Sequence, residues 1–309
     1  MTVLRPRVYM AGAGGMLGEA FYKHFMQKHL LKCTDKDVNE NWLSHLDFRD
    51  YEAYRKDVME FKPDWLFHIG AHTDLEYCEL NPEDTYATNT KSVEHAVKIA
   101  NELKLPILYI STAGIFNGKK NSYDENDVPD PMGHYAKSKY MGEQCVQENA
   151  NDFLICRAGW MMGGGERKDK KFIQKLIRQI KQGRKTLHIV NDKLGTPTYT
   201  KDFALNTSLL IDKNQRGLFN MACKGVTSRL DVARELIDIL KMNERVKVEE
   251  VGSDYFSREY FAKRPPCERL VNKRLNDLGL NVMRDWKIAL HEYVWEYYAD
   301  TCEVPSVHQ

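Results

Sequence analysis

At 309 residues, with 42% hydrophobic and 29% charged residues and a formal net charge of +1, the chain has the size and composition of an ordinary soluble protein with a sizeable core. Near-neutral charge gives no general attraction to nucleic acid or to a membrane, no run approaches a membrane span, and residues 1–7 are too short and polar for a secretory leader. Seven scattered cysteines (Cys33, Cys78, Cys145, Cys156, Cys223, Cys267 and Cys302) lack the paired spacing of a zinc site or disulfide framework, so the expectation is no metal and a reducing, cytoplasmic setting.

The first predicted element is a strand over residues 7–11, which feeds Gly12-Ala13-Gly14-Gly15-Met16-Leu17-Gly18 and then a helix over 19–28. Strand, glycine turn and helix form the phosphate-binding start of a dinucleotide fold. Glycines at 12, 15 and 18 permit a tight turn, let a pyrophosphate reach the helix N-terminus, and let helix pack closely on strand. A glycine motif alone is often just a turn; its weight here comes from standing at the head of an alternating strand and helix pattern.

A second strand is predicted over 30–34. Asp35 follows about 20 residues past the glycines, where an acid accepts hydrogen bonds from an adenosine ribose and repels the extra phosphate of NADPH. The expectation therefore leans to NADH, with Lys32 and Lys36 close enough to offset it; Asp35 and Asp37 read equally well as a turn. Asp47, beside Phe48, is a second acid able to meet the adenine, or else a cap for a helix over 51–61. A third strand over 65–71 brings Gly70, Ala71 and His72-Thr73-Asp74 to the carboxyl edge of the sheet, beside the cofactor. His68 and His72 straddle a strand end rather than sharing a helix face, which counts against a metal pair. A long helix over 86–103 carries Asn89.

Pro106-Ile107-Leu108-Tyr109-Ile110 reads as a buried strand ending at Ser111-Thr112. A polar loop over 118–133 is expected to wall a substrate pocket. Tyr135-Ala136-Lys137-Ser138-Lys139 opens the next helix, with Tyr135 and Lys139 one turn apart on one face. A free phenol, with a pKa near ~10, is a reluctant proton donor until a cation favours its phenolate. Lys139 supplies that cation, and Thr112 a hydroxyl to hold a carbonyl oxygen.

After a strand over 153–159, Met161 to Gly165 reads as a flexible turn and 167–185 as a basic amphipathic helix, one or two of whose charges are available to a diphosphate. A strand over 186–190, a turn at 195–198 with a helix from about 201, a helix over 229–242 and an amphipathic tail from Asp285 complete the pattern. The fold class expected is α/β: a Rossmann-type doubly wound parallel sheet over 1–159, with 186–215 returning to it, and a smaller C-terminal α/β substrate domain over 160–309.

Taken together, Gly12 to Gly18, Asn81-Pro82-Glu83 through Asn89, Ser111-Thr112 through Gly118, Tyr135 through Lys139, Arg157 through Trp160, Gly195 to Thr198, Arg264-Pro265 and Trp286 to Leu290 resemble an extended short-chain dehydrogenase/reductase of the dTDP-4-dehydrorhamnose reductase family. That resemblance implies NAD(P)H-dependent reduction of the 4-keto group of a nucleotide-activated 6-deoxysugar, in a cytoplasmic enzyme expected to form a homodimer. It implies Thr112, Tyr135 and Lys139 as catalytic groups. Gly12, Gly14, Gly15, Met16, Leu17, Gly18, Asp35, Asp47, Phe48, Gly70, Ala71, His72, Asn89, Tyr135 and Lys139 would meet the cofactor, and Thr73, Leu75, Thr112 and Trp160 the substrate. One departure stands out: the family has an acid and an aromatic after the Ser-Thr pair, and this chain has Ala113 and Gly114. The related dehydratases use an Asp-Glu pair there, which counts against dehydration. Two rival readings are a non-catalytic regulatory subunit like that of methionine adenosyltransferase and a sugar-nucleotide epimerase.

Overall fold

The computed structural model describes residues 5–301. Cys302 and residues 1–4 of the leader reading lie outside them. Seven parallel strands make one sheet in the spatial order Gly217–Met221, Phe153–Ala158, Ile107–Thr112, Trp65–His68, Arg7–Ala11, Leu30–Asp35 and Leu43–His45. The chain order reverses between Arg7–Ala11 and Trp65–His68, which pair in register Val8 with Trp65 through Ala11 with His68. A cleft opens outside the carboxyl ends at such a reversal.

The inner strands Trp65–His68, Ile107–Thr112 and Phe153–Ala158 are buried, largely apolar runs because both faces of the sheet are covered there. Phe21, Phe25, Phe67, Phe203 and Phe219 fill one face, and Tyr9, Tyr54, Val58, Val97 and Ile155 the other. The helix Thr200–Asp212 belongs to the first face, its Phe203 ring 6.3 Å from that of Phe21. A separate core in the C-terminal half gathers Ile173, Leu176, Ile177, Leu236, Leu290 and Tyr293. The apolar stripe on Phe172–Lys181 turns inward there, and its lysines face out.

Several boundaries differ from the sequence reading. Leu43–His45 is an added edge strand, and Trp65–His68 stops before Gly70, where the chain must cross the glycine turn. The expected long helix over 86–103 begins with a π turn, Ala87–Lys91, before the α-helix Ser92–Leu103. Trp160–Met162 is a strand rather than part of a turn, paired with Pro197–Tyr199. The expected return of 186–215 to the sheet divides: Thr186–Val190 pairs with Lys247–Val251, while Thr200–Asp212 packs on the first helix and Gly217–Met221 supplies the outer strand. The loop over 118–133 contributes only Met132 and Gly133 to the cleft. Its polar groups brace the chain instead: Tyr123 exchanges backbone bonds with Arg269 and Val271, and Glu125 accepts from Asn220 N at 2.9 Å.

Candidate active site

The glycine turn forms one wall of a cleft of about 1010 Å³. Gly12 has φ +80°, and a Cβ there would stand 2.1 Å from Gly70 Cα, so the turn and the end of Trp65–His68 cross with no room for side chains. Gly18 meets Ala13 just as closely, letting Met16–Phe25 pack on the sheet. Gly15 is different: a Cβ would meet nothing within 4 Å, and no side chain caps the helix N-terminus that begins there. The positive end of that helix faces the cleft with its backbone donors uncovered.

Asp35 makes the turn read from the sequence and also holds the glycine turn. Its carboxylate accepts from Gly14 N at 2.8 Å, fixing the turn, and from Asp37 N at 3.0 Å, making a local one. Asp47 is held by Arg49, which lowers its pKa, and the cap of the helix Tyr51–Phe61 is Asp50, accepting from Ala53 N at 3.1 Å. Arg49 also donates to Asp84 at 2.7 Å; Asp84 pairs with His72 Nε2 at 2.7 Å and accepts from Tyr77 OH at 2.8 Å. Phe48 packs against Gly70, and Ala71 and His72 continue the same wall.

His68 is buried between Tyr54 OH and Ser92 Oγ, and burial lowers its pKa to about 3, keeping it neutral. Among the described residues no group of His, Cys, Asp and Glu is arranged to hold a metal. Asn89, on the π turn, bonds both backbone groups of His72 at 2.8 and 3.0 Å and donates to Ser138 Oγ at 3.1 Å. It ties the chain after the strand end to the helix His134–Asn149, a role the sequence alone did not show.

Thr112, Tyr135 and Lys139 meet where Ile107–Thr112 ends and His134–Asn149 begins. Burial pushes the Tyr135 phenol up to about 12; the Thr112 hydroxyl pulls it down and Glu268 pushes it further up. The lowering influence is thus Thr112, not the Lys139 charge expected from spacing. Lys139 points elsewhere: its Nζ donates to Ile110 O at 2.7 Å and lies 4.2 Å from the centre of the Tyr109 ring. Burial lowers its pKa to about 7, against the pull of Glu143, which forms a buried ion pair with Arg157.

The far end of the cleft is assembled from segments distant in sequence. Lys171 donates to Thr73 O and Oγ1, both at 2.9 Å, close to Leu75. Trp160 Nε1 donates to Glu268 Oε2 at 2.7 Å, and its ring carries the Arg229 guanidinium 3.8 Å from the centroid. Arg229 also lies over Phe172 at 4.6 Å; burial lowers its pKa to about 10, and its guanidinium has no hydrogen bond or ion pair among the described residues. Arg264 is held in two bonds by Glu76, each 2.7 Å. Neither Arg229 nor Glu268 is marked by local spacing, because each reaches the cleft only through tertiary packing.

A family profile described as "RmlD substrate binding domain" matches residues 6–299. The chain belongs to that family. This member is 28% identical to the dTDP-4-dehydrorhamnose reductase of Mycolicibacterium smegmatis, over 99% of this chain and 90% of that one. Its structure matches that of a Bacillus anthracis dTDP-4-dehydrorhamnose reductase in complex with NADP, with a TM-score of 0.87 and 26% identity, covering 95% of this chain and 100% of the other. It is also similar to methionine adenosyltransferase 2 subunit beta of Xenopus laevis, 23% identical over 97% of this chain and 90% of that protein. The family and the Rossmann-type sheet expected from the motifs are both borne out.

Proposed function

We propose that the chain is an NAD(P)H-dependent oxidoreductase that reduces the 4-keto group of a dTDP-activated 6-deoxysugar. The observation that carries this reading is the convergence of Thr112, Tyr135 and Lys139 with an open glycine turn in one cleft, in a chain similar end to end to named reductases. The open space at Gly15 and the uncapped helix end suit the diphosphate of a dinucleotide. When bound, the nicotinamide supplies a hydride to the keto carbon.

The residues divide the remaining work. Tyr135, with a pKa of about 12, keeps its proton near neutrality and donates it to the ketone oxygen, while Thr112 orients that oxygen. Lys139 holds a ribose hydroxyl of the nicotinamide half. Gly12, Gly14, Gly15, Met16, Leu17 and Gly18 cradle the cofactor diphosphate; Asp35, Asp47 and Phe48 face its adenosine; Gly70, Ala71, His72 and Asn89 flank the path to the nicotinamide. Thr73, Leu75 and Trp160 line the sugar side. Arg229 and Lys171 supply the charge for the diphosphate of the substrate, Arg229 with donors that no group among the described residues consumes.

The complete Thr112, Tyr135 and Lys139 set favours a catalyst over a non-catalytic regulatory subunit. No helix among the described residues is long and apolar enough to cross a membrane. A cytoplasmic location accords with the free Cys33, Cys78, Cys145, Cys156, Cys223 and Cys267. The expected homodimer is testable by sedimentation. Mixing purified protein with NADH or NADPH and dTDP-4-keto-6-deoxyglucose, or the 4-keto sugar with inverted neighbouring centres, tests the activity. Loss of reduced-cofactor absorbance is the expected result; cofactor binding without loss on either sugar would overturn it.

A further inference from the structure

Ala113 and Gly114 leave the site without the acid and aromatic usual in the family, and the structure fills that space from another segment. The point where a Gly114 Cβ would stand is 3.3 Å from Glu268 Oε1, 3.5 Å from Thr112 Oγ1 and 3.7 Å from Tyr135 Cε1. A carboxylate oxygen therefore sits on the open side of the two groups that hold a ketone oxygen.

The carboxylate is fixed in place. Its Oε2 accepts the Trp160 indole N–H at 2.7 Å. Its backbone N donates to Leu194 O at 2.7 Å, Leu194 N donates to Pro266 O at 2.8 Å, and the Tyr123 bonds brace the chain just beyond. Oε1 has no hydrogen-bond partner among the described residues, and Glu268 lines the cleft. Hydride transfer with Tyr135 as proton donor leaves this oxygen without a task.

We propose that Glu268 is a catalytic base that removes and returns the hydrogen on a carbon next to the keto group of the bound sugar. The inference rests on the reading of the cleft as a 4-keto sugar site. A carbonyl whose oxygen is held by the Thr112 hydroxyl and the Tyr135 phenol has an acidified neighbouring C–H bond, and a fixed carboxylate beside those donors is the matching base. The C–H bond breaks, Glu268 takes the proton, and the electron pair forms a carbon–carbon double bond as the carbonyl becomes an enolate stabilised by Thr112 and Tyr135. Return of a proton to carbon restores the ketone. No oxidant or reductant is consumed, so the step is complete before any hydride moves. Its consequence is a second activity: the keto sugar exchanges hydrogen with solvent at the carbon flanking the ketone.

The test incubates the full-length protein with NADP⁺ and dTDP-4-keto-6-deoxyglucose in D₂O and follows deuterium in the sugar by mass spectrometry. The expected result is one deuterium incorporated well above the buffer rate, reduced at least 100-fold in Glu268→Gln. That variant keeps an acceptor for Trp160, so its melting temperature should match that of the wild type. No exchange above buffer in the wild-type protein, or equal exchange in Glu268→Gln, would overturn the proposal and leave Glu268 as a structural partner of Trp160. Reduction is assayed separately with NAD(P)H, so loss of the exchange claim and loss of the reductase reading give different patterns.

Discussion

The two ends of the cleft are built in opposite ways. The cofactor end is made mostly of backbone: Gly12 crosses Gly70, Gly14 is held by Asp35, and Gly15 leaves a helix terminus open, all but Gly70 and Asp35 within one short stretch of chain. The substrate end is made of side chains, with Trp160, Lys171, Arg229, Arg264 and Glu268 drawn from four separate segments. The first kind of site tolerates almost no side chain, because its geometry is the function. The second draws its groups from distant segments, and in this way Glu268 comes within 3.3 Å of the point where a Gly114 Cβ would stand.

That contrast can be broken by substitution at either end. The largest effect belongs to the backbone end. Gly12→Ala places a side chain at φ +80° and within 2.1 Å of Gly70 Cα, and is expected to cost about 3 kcal/mol or more. Thermal unfolding should show a drop of roughly 5–10 °C, with cofactor binding lost in titration; an unchanged melting temperature would mean the turn is not under this constraint. At the side-chain end, Arg229→Gln removes the charge but leaves the fold. Its expected effect is a rise in KM for the nucleotide sugar of roughly 30-fold, about 2 kcal/mol, with little change in kcat. A loss confined to kcat would move Arg229 from binding to chemistry.

A smaller effect sharpens the cofactor end. Asp35→Asn keeps the acceptor for Gly14 but deletes the charge that the proposal sets against the adenosine ribose, so the ratio of kcat/KM for NADPH over NADH should rise roughly tenfold. No change would assign Asp35 to the turn alone. The smallest is a pH effect. Lys139, lowered to about 7 by burial, is charged below that pH and neutral above it. Cofactor affinity should therefore weaken a few-fold as pH rises through about 7, and the step should vanish in Lys139→Met; a step of the same size in both proteins would exclude Lys139 as its origin.

How far the sequence could be read follows the same division. That Gly12 to Gly18, Thr112, Tyr135 and Lys139 share one cleft was legible, because each place depends on local spacing along one strand, turn or helix. Leu43–His45 was hidden in three residues of mixed polarity, and Trp160–Met162 lay against a glycine run that reads as a turn. The loop over 118–133 was polar for a reason other than ligand contact, since Tyr123 and Glu125 satisfy the strand edge and the segment leading from Glu268. Arg229 and Glu268 carried no mark, because what defines them is the distance to Trp160 and to the empty side of Gly114. The direction of the Lys139 amine toward Ile110 O was equally invisible to a four-residue spacing.

The most direct test of the central claim is transfer of deuterium from NAD(P)H labelled at the hydride position to the nucleotide sugar, comparing wild type with Tyr135→Phe. One deuterium is expected at the former keto carbon in the wild type, and a rate lower by roughly 10²–10⁴-fold in the variant with cofactor affinity retained. Absence of transfer in the wild type, or equal transfer in Tyr135→Phe, would contradict it.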